Sequence, residues 1–100
     1  MLTFEEKIKK AAHHIKTNNA RDKYGKWHNP SEAWFYILEF RDNTIMNLTK
    51  HRGKWGTWYS SDTVGRTFSG MREVKEWCAR LILMGQFGQT WKEDLESRIA

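Results

Sequence analysis

The sequence predicts an α+β chain: an N-terminal amphipathic helix, a three- to four-stranded antiparallel sheet, a packing helix and a short C-terminal helix. Three observations predict it. Apolar residues recur at helical intervals near both ends, aromatic and β-branched residues crowd the middle, and Asn, Asp and Gly punctuate that middle at hairpin spacing. One hundred residues are enough for one modest core, so a single domain over residues 1–100 is expected.

Thr3 followed by Glu6 has capping-box spacing, and Phe4, Ile8, Ala11, Ala12 and Ile15 then form one apolar stripe, which predicts a helix over about 4–17. Residues 18–31 read as a polar connector that still carries Tyr24 and Trp27. Asn29, Pro30 and Glu32 are compatible with a helix start, yet the density of aromatic and branched side chains from Trp34 to Phe40 favours a strand. A three-residue loop at Arg41, Asp42 and Asn43, with Asn43 left-handed, places Trp34, Tyr36, Leu38 and Phe40 on one face with Met46 and Leu48. A further strand is expected over Lys54 to Ser60 after the Gly53 break, and a short one over Thr63 to Phe68. Ser69 is placed to cap a helix with Met71, Val74, Trp77, Cys78, Leu81 and Ile82 on one side and Gly85 at its end. Thr90 and Glu93 repeat the capping-box spacing ahead of Trp91, Leu95 and Ile99.

Seventeen Lys and Arg against twelve Asp and Glu give a net charge of +5, and the whole excess lies in residues 1–60. That asymmetry points to an anionic partner for the first part of the chain. Cys78 is the sole cysteine, which excludes an intramolecular disulfide and fits a reducing, cytoplasmic setting. No apolar run approaches the roughly 18 residues of a membrane span, so no membrane association is expected. Phosphate-loop, dinucleotide and nucleophile-elbow patterns are missing, and the histidines at 13, 14, 28 and 51 have neither zinc spacing nor an evident catalytic partner. The best catalytic set these residues offer is His28 or His51 with Glu39 and with Arg52 or Lys54, and nothing in the spacing demands it. A non-catalytic protein without metal or cofactor is expected.

The six tryptophans, most of them set among cations, carry the functional signal. Lys50-His51-Arg52-Gly53-Lys54-Trp55-Gly56-Thr57-Trp58-Tyr59 combines three fixed positive charges, no acid and three aromatics beside permissive glycines, a pattern suited to phosphate contacts and base stacking. Strand alternation sends Trp55, Thr57 and Tyr59 one way and Gly56, Trp58 and Ser60 the other, so one set can be core and the other solvent-facing. Residues 7–28 carry seven basic residues against one acid and supply a second basic stretch. The expected binding residues are therefore Lys50, Arg52, Lys54, Trp55 and Trp58, aided by Lys9, Lys16, Lys23, Lys26 and Trp27. The bland reading of the same residues is core aromatics with a solvated lysine-rich helix face.

The order helix, three strands, helix resembles the double-stranded RNA-binding domain, with Ser69 to Ala79 where that family's second helix begins. Gly70 and Met71 stand where that family carries phosphate-gripping lysines, so the resemblance does not bring that contact with it. The leading expectation is a small protein that engages nucleic acid, DNA or RNA, or a nucleic acid-protein complex. The alternative is a protein-binding inhibitor or adaptor directed at an acidic surface of host machinery, of the kind phages and mobile elements encode against host defence. A homodimer formed through exposed tryptophans and the C-terminal helix is the third reading.

Overall fold

Thr3 starts the first helix as its spacing predicts. Its Oγ1 accepts from the Glu6 backbone N–H at 3.2 Å while the Glu6 carboxylate accepts from the Thr3 N–H at 3.2 Å. In the computed structural model, which describes residues 2–19, 34–54, 56–61 and 63–100, this helix is α1, Phe4–Ala11. It tightens into a 3₁₀ turn at Ala12–His14 and stops, with Ile15 extended at φ −87° and ψ 123°. The expected helix to residue 17 is thus too long. From His13 onward the sequence runs through His, Ile, Thr and Asn, all poorer helix formers than the preceding Lys and Ala. Ile15 completes the apolar stripe by being buried from an extended backbone.

Lys16–Asn19 then forms β1, a strand that the polar composition conceals. With β2 (Trp34–Phe40), β3 (Asn43–Gly53), β4 (Gly56–Ser61) and β5 (Arg66–Phe68) it builds a five-stranded antiparallel meander in chain order, where three to four strands were expected. The resulting element order also departs from helix, three strands, helix. The expected connector over residues 18–31 falls partly in β1, and its remainder lies outside the described residues.

The β2–β3 connection is tighter than expected. Arg41 and Asp42 both take positive φ, 55° and 62°, between the paired residues Phe40 and Asn43, so the loop has two residues and Asn43 belongs to the strand. Left-handed geometry at both loop positions matches the twist of the flanking strands. Asn43 adds a hydrogen bond from its Nδ2 to the Arg41 carbonyl at 2.9 Å. Glu39 pairs with Thr44 and Leu38 with Met46, leaving Ile45 as the extra residue of a bulge. One residue fewer in the turn and one more in the strand cancel, so Leu38 opposite Met46 and Tyr36 opposite Leu48 are the pairs the longer loop would have made. Leu38, Phe40, Met46, Leu48, Tyr59 and Phe68 are buried on that face.

Two helices complete the chain. In α2, Met71–Leu83, the residues Val74, Cys78, Ala79, Ile82 and Leu83 are buried. It ends at Gly85 (φ 81°), where Gly85 N–H donates to the Ile82 carbonyl and Gln86 N–H to the Leu81 carbonyl, both at 3.0 Å. This is the reciprocal pair of a Schellman cap, with Gly in the left-handed position it requires. The last helix, α3 (Gln89–Ile99), begins a residue before Thr90, because the Gly88 carbonyl accepts the Lys92 N–H at 3.2 Å and becomes the cap. Glu93 accepts from the Gln89 side chain instead of closing a box with Thr90.

By its contacts the chain divides into two compact units. Residues 1–15 and 72–100 form one, in which α1 meets α3 and Arg80 holds both Glu5 oxygens at 2.9 and 3.1 Å. Residues 16–71 form the other, which is the sheet.

Candidate functional site

Among the described residues, fewer strands are paired beyond Lys50 of β3 and Tyr59 of β4. Pairing of β2 with β3 ends at Trp34 and Lys50, and pairing of β4 with β5 ends at Tyr59 and Phe68. Among the described residues, His51 to Gly53 and Gly56 to Trp58 pair only with each other, and this end of the β3–β4 hairpin is termed the ribbon. Gly53 faces Gly56 at its end, with Lys54 in the turn that follows Gly53. Gly56 has φ +126°, a conformation side-chain-bearing residues rarely adopt, which fixes glycine there although space around it is open.

The ribbon has two unlike faces. Trp58 lies directly opposite His51, and their rings stack with centroids 3.9 Å apart and planes 14° from parallel. The His51 Nε2 lies 2.8 Å from the Ser60 Oγ, so the imidazole is held from two sides. Trp58 nevertheless keeps 44% of its surface exposed, whereas its neighbour Tyr59 keeps 8%. This is the alternation the sequence implies, with Tyr59 as core and Trp58 toward solvent. Burial, followed by the nearby Tyr36, holds the Tyr59 hydroxyl above its ordinary pKa. By pairing and parity Asn47, Thr49, Ser60 and Thr67 share a face with Trp58; Ile37, opposite Asn47, is buried on that same face, and Glu39 two residues on lies far along it from Trp58.

Lys50 and Arg52 point the other way. They pair with Tyr59 and Thr57; Lys50 is half-buried at the rim of the core face, and Arg52 is exposed beyond it. Lys54 is exposed in the turn after Gly53. Of the cluster expected from the sequence, the structure therefore joins Trp58 to His51, places Arg52 on the opposite face, and leaves Lys54 exposed in the turn. The missed members are Ser60, Thr49, Asn47 and Thr67, whose shared parity with Trp58 is the signal that finds them once Gly53 is set opposite Gly56.

The second basic stretch is dispersed. Lys9 is exposed on α1, in the other unit. Lys16 is exposed on β1 opposite Glu39, about 20 Å along the strands from His51 at roughly 3.3 Å per residue, so it does not extend the ribbon's surface. Glu39 is likewise far from His51, and the catalytic pairing of those two is not formed. Trp55, Lys23, Lys26, Trp27 and His28 lie outside the described residues. Among the described residues no group of three or more His, Cys, Asp or Glu side chains could hold a metal ion, and no helix is long and apolar enough to cross a membrane. Cys78 is fully buried, which pushes its thiol pKa up to about 12. In the helical unit a groove of about 450 Å³ is lined by Leu2, Lys7, Lys10, Glu96, Ile99 and Ala100, a set of mixed charge.

Compared with protein-family models, with curated proteins and with solved structures, the chain matches none of them.

Proposed function

We propose that the protein is a non-catalytic module that binds nucleic acid through the β3–β4 ribbon. The observation that carries this reading is the β3–β4 hairpin itself, with a stacked, half-exposed Trp58 on one face and Arg52 and Lys54 toward its turn. Arg52 and Lys54 are exposed cations near the hairpin turn, and phosphate contacts supply affinity with little sequence selectivity. The absence of acidic residues from positions 43 to 61 keeps like charge away from the ligand along the ribbon and the strands that feed it.

The test is fluorescence anisotropy of labelled single-stranded and duplex DNA and RNA, titrated with the purified protein at about 50 mM salt, where phosphate contacts are strongest. Saturable binding that weakens with Lys54→Glu on all sequences alike is the expected result. No binding to any probe would remove the reading and leave the ribbon as a hot spot for an acidic protein surface, the inhibitor or adaptor alternative.

A further inference from the structure

Resting on the nucleic-acid reading, we infer that the outer face of the ribbon is a stacking platform for a nucleobase of a single strand, with Trp58 as the residue that selects single strands over duplexes. Trp58 is a large aromatic ring that packing has not consumed: 44% of it is exposed, yet it does not swing freely. One side of the indole is occupied by His51 at 3.9 Å, and His51 is itself held at 2.8 Å by Ser60. The ring is thus fixed before any ligand arrives, which removes much of the ordering cost that a mobile side chain would bring to binding.

What such a platform accepts follows from its chemistry. A flat, electron-rich face takes another flat ring, and every base offers one whatever its hydrogen-bonding edge. In a duplex those faces are already stacked on their neighbours, so only an unpaired base can be laid on Trp58. Ser60, Thr49 across from it and Thr67 beyond it are the next residues on that face, short polar side chains that tolerate any base edge. Lys54 at the tip and Arg52 behind it are the cations those phosphates meet as the strand passes the end of the ribbon. His51 acts through Trp58 and is a positioning residue.

The experiment uses the whole chain and three kinds of probe of equal length: oligo(dT) with oligo(U), the same deoxyribose-phosphate chain with every base removed, and a DNA duplex. Anisotropy titrations at about 50 mM salt are expected to show the abasic chain and the duplex binding about 10-fold or more weakly than either base-bearing strand. Trp58→Ala should bring the base-bearing strands down to the abasic level and leave the abasic affinity unchanged, while Trp58→Phe should keep most of the difference. Preference for oligo(U) over oligo(dT), or the reverse, would assign the strand as RNA or DNA. Equal affinity of the wild-type protein for intact and abasic strands would overturn the stacking platform while leaving phosphate binding in place. Failure to bind any probe would overturn the functional reading beneath it. The comparison of probes on the wild-type protein needs no variant to fold.

Discussion

Replacing Lys54 with Gln removes one charge from the ribbon tip while keeping the length and polarity of the side chain, at an exposed position whose loss opens no cavity. Three cations, Lys50, Arg52 and Lys54, belong to the ribbon and its root. If each meets one phosphate of a single strand, each adds about 0.7 to the slope with which log affinity falls against log salt. The wild-type slope is then about −2, a loss of about 20-fold in affinity between roughly 50 and 200 mM salt. With Lys54→Gln the slope should shrink to about −1.4 and the loss to about 7-fold. Anisotropy titrations at four salt concentrations, on one labelled strand, measure both slopes. A variant whose slope equals that of the wild type would show that Lys54 meets no phosphate. A wild-type slope near zero would remove phosphate contact from the reading altogether.

Four further outcomes follow from the fold. Arg41 and Asp42 both sit in left-handed geometry that Asn and Gly occupy at less cost, so Arg41→Asn with Asp42→Gly should stabilise the protein by about 1 kcal/mol, read as a higher urea midpoint. The Glu6 carboxyl is held below its ordinary pKa by its hydrogen bonds with Thr3, first the backbone and then the side chain. Its capping contribution is present above the unfolded pKa and lost as pH falls through the folded one, so Glu6→Ala should lower the urea midpoint at pH 7 and approach wild type near about pH 3. The Cys78 thiol, pushed up to about 12 by burial, should resist a thiol-specific reagent at pH 8 until denaturant is added, and its folded-state advantage should be lost as pH rises from about 9 toward that value. Among the described residues Ser61 buries its Oγ with no hydrogen-bond partner, so Ser61→Ala should leave thermal stability unchanged or raise it, and a clear loss would reveal a partner for the hydroxyl.

How much of the fold was legible depended on whether local chemistry and tertiary pairing agreed. At Thr3 and Glu6 the capping box is satisfied within four residues, and at Gly85 the left-handed cap needs only a glycine, so both ends were readable. The helix end at Ala11 was not, because Ile15 fits an apolar stripe by its spacing and reaches burial equally well from an extended backbone. Lys16–Asn19 carries no apolar alternation at all; it becomes a strand because β2 offers an edge to pair with, which composition cannot disclose. The β2–β3 register was recovered through compensating differences. The two-residue turn satisfies strand twist, the bulge at Ile45 restores parity, and burial of Leu38, Met46 and Leu48 on one face constrains both.

The candidate site was half legible for a related reason. Period-two alternation divides Trp58 from Tyr59 whatever the partner strand does, but it does not say what Trp58 meets. That depends on Gly53 lying opposite Gly56, which sets His51 across from Trp58 and gives the exposed ring its backing. The same register separates residues that the linear sequence groups together. Lys50 and Arg52 share parity with the buried Met46 and Leu48, and Arg52 is exposed because the ribbon runs past the last core residue on that side. Trp58 and the cations Lys50 and Arg52 therefore occupy opposite faces, with Lys54 in the turn beyond them. A ligand that uses both must pass around the end of a two-stranded ribbon, which a narrow, flexible, charged polymer can do and a flat protein surface, meeting one face at a time, cannot. This two-sided arrangement is the physical ground for favouring a single strand over a protein surface as the ribbon's partner.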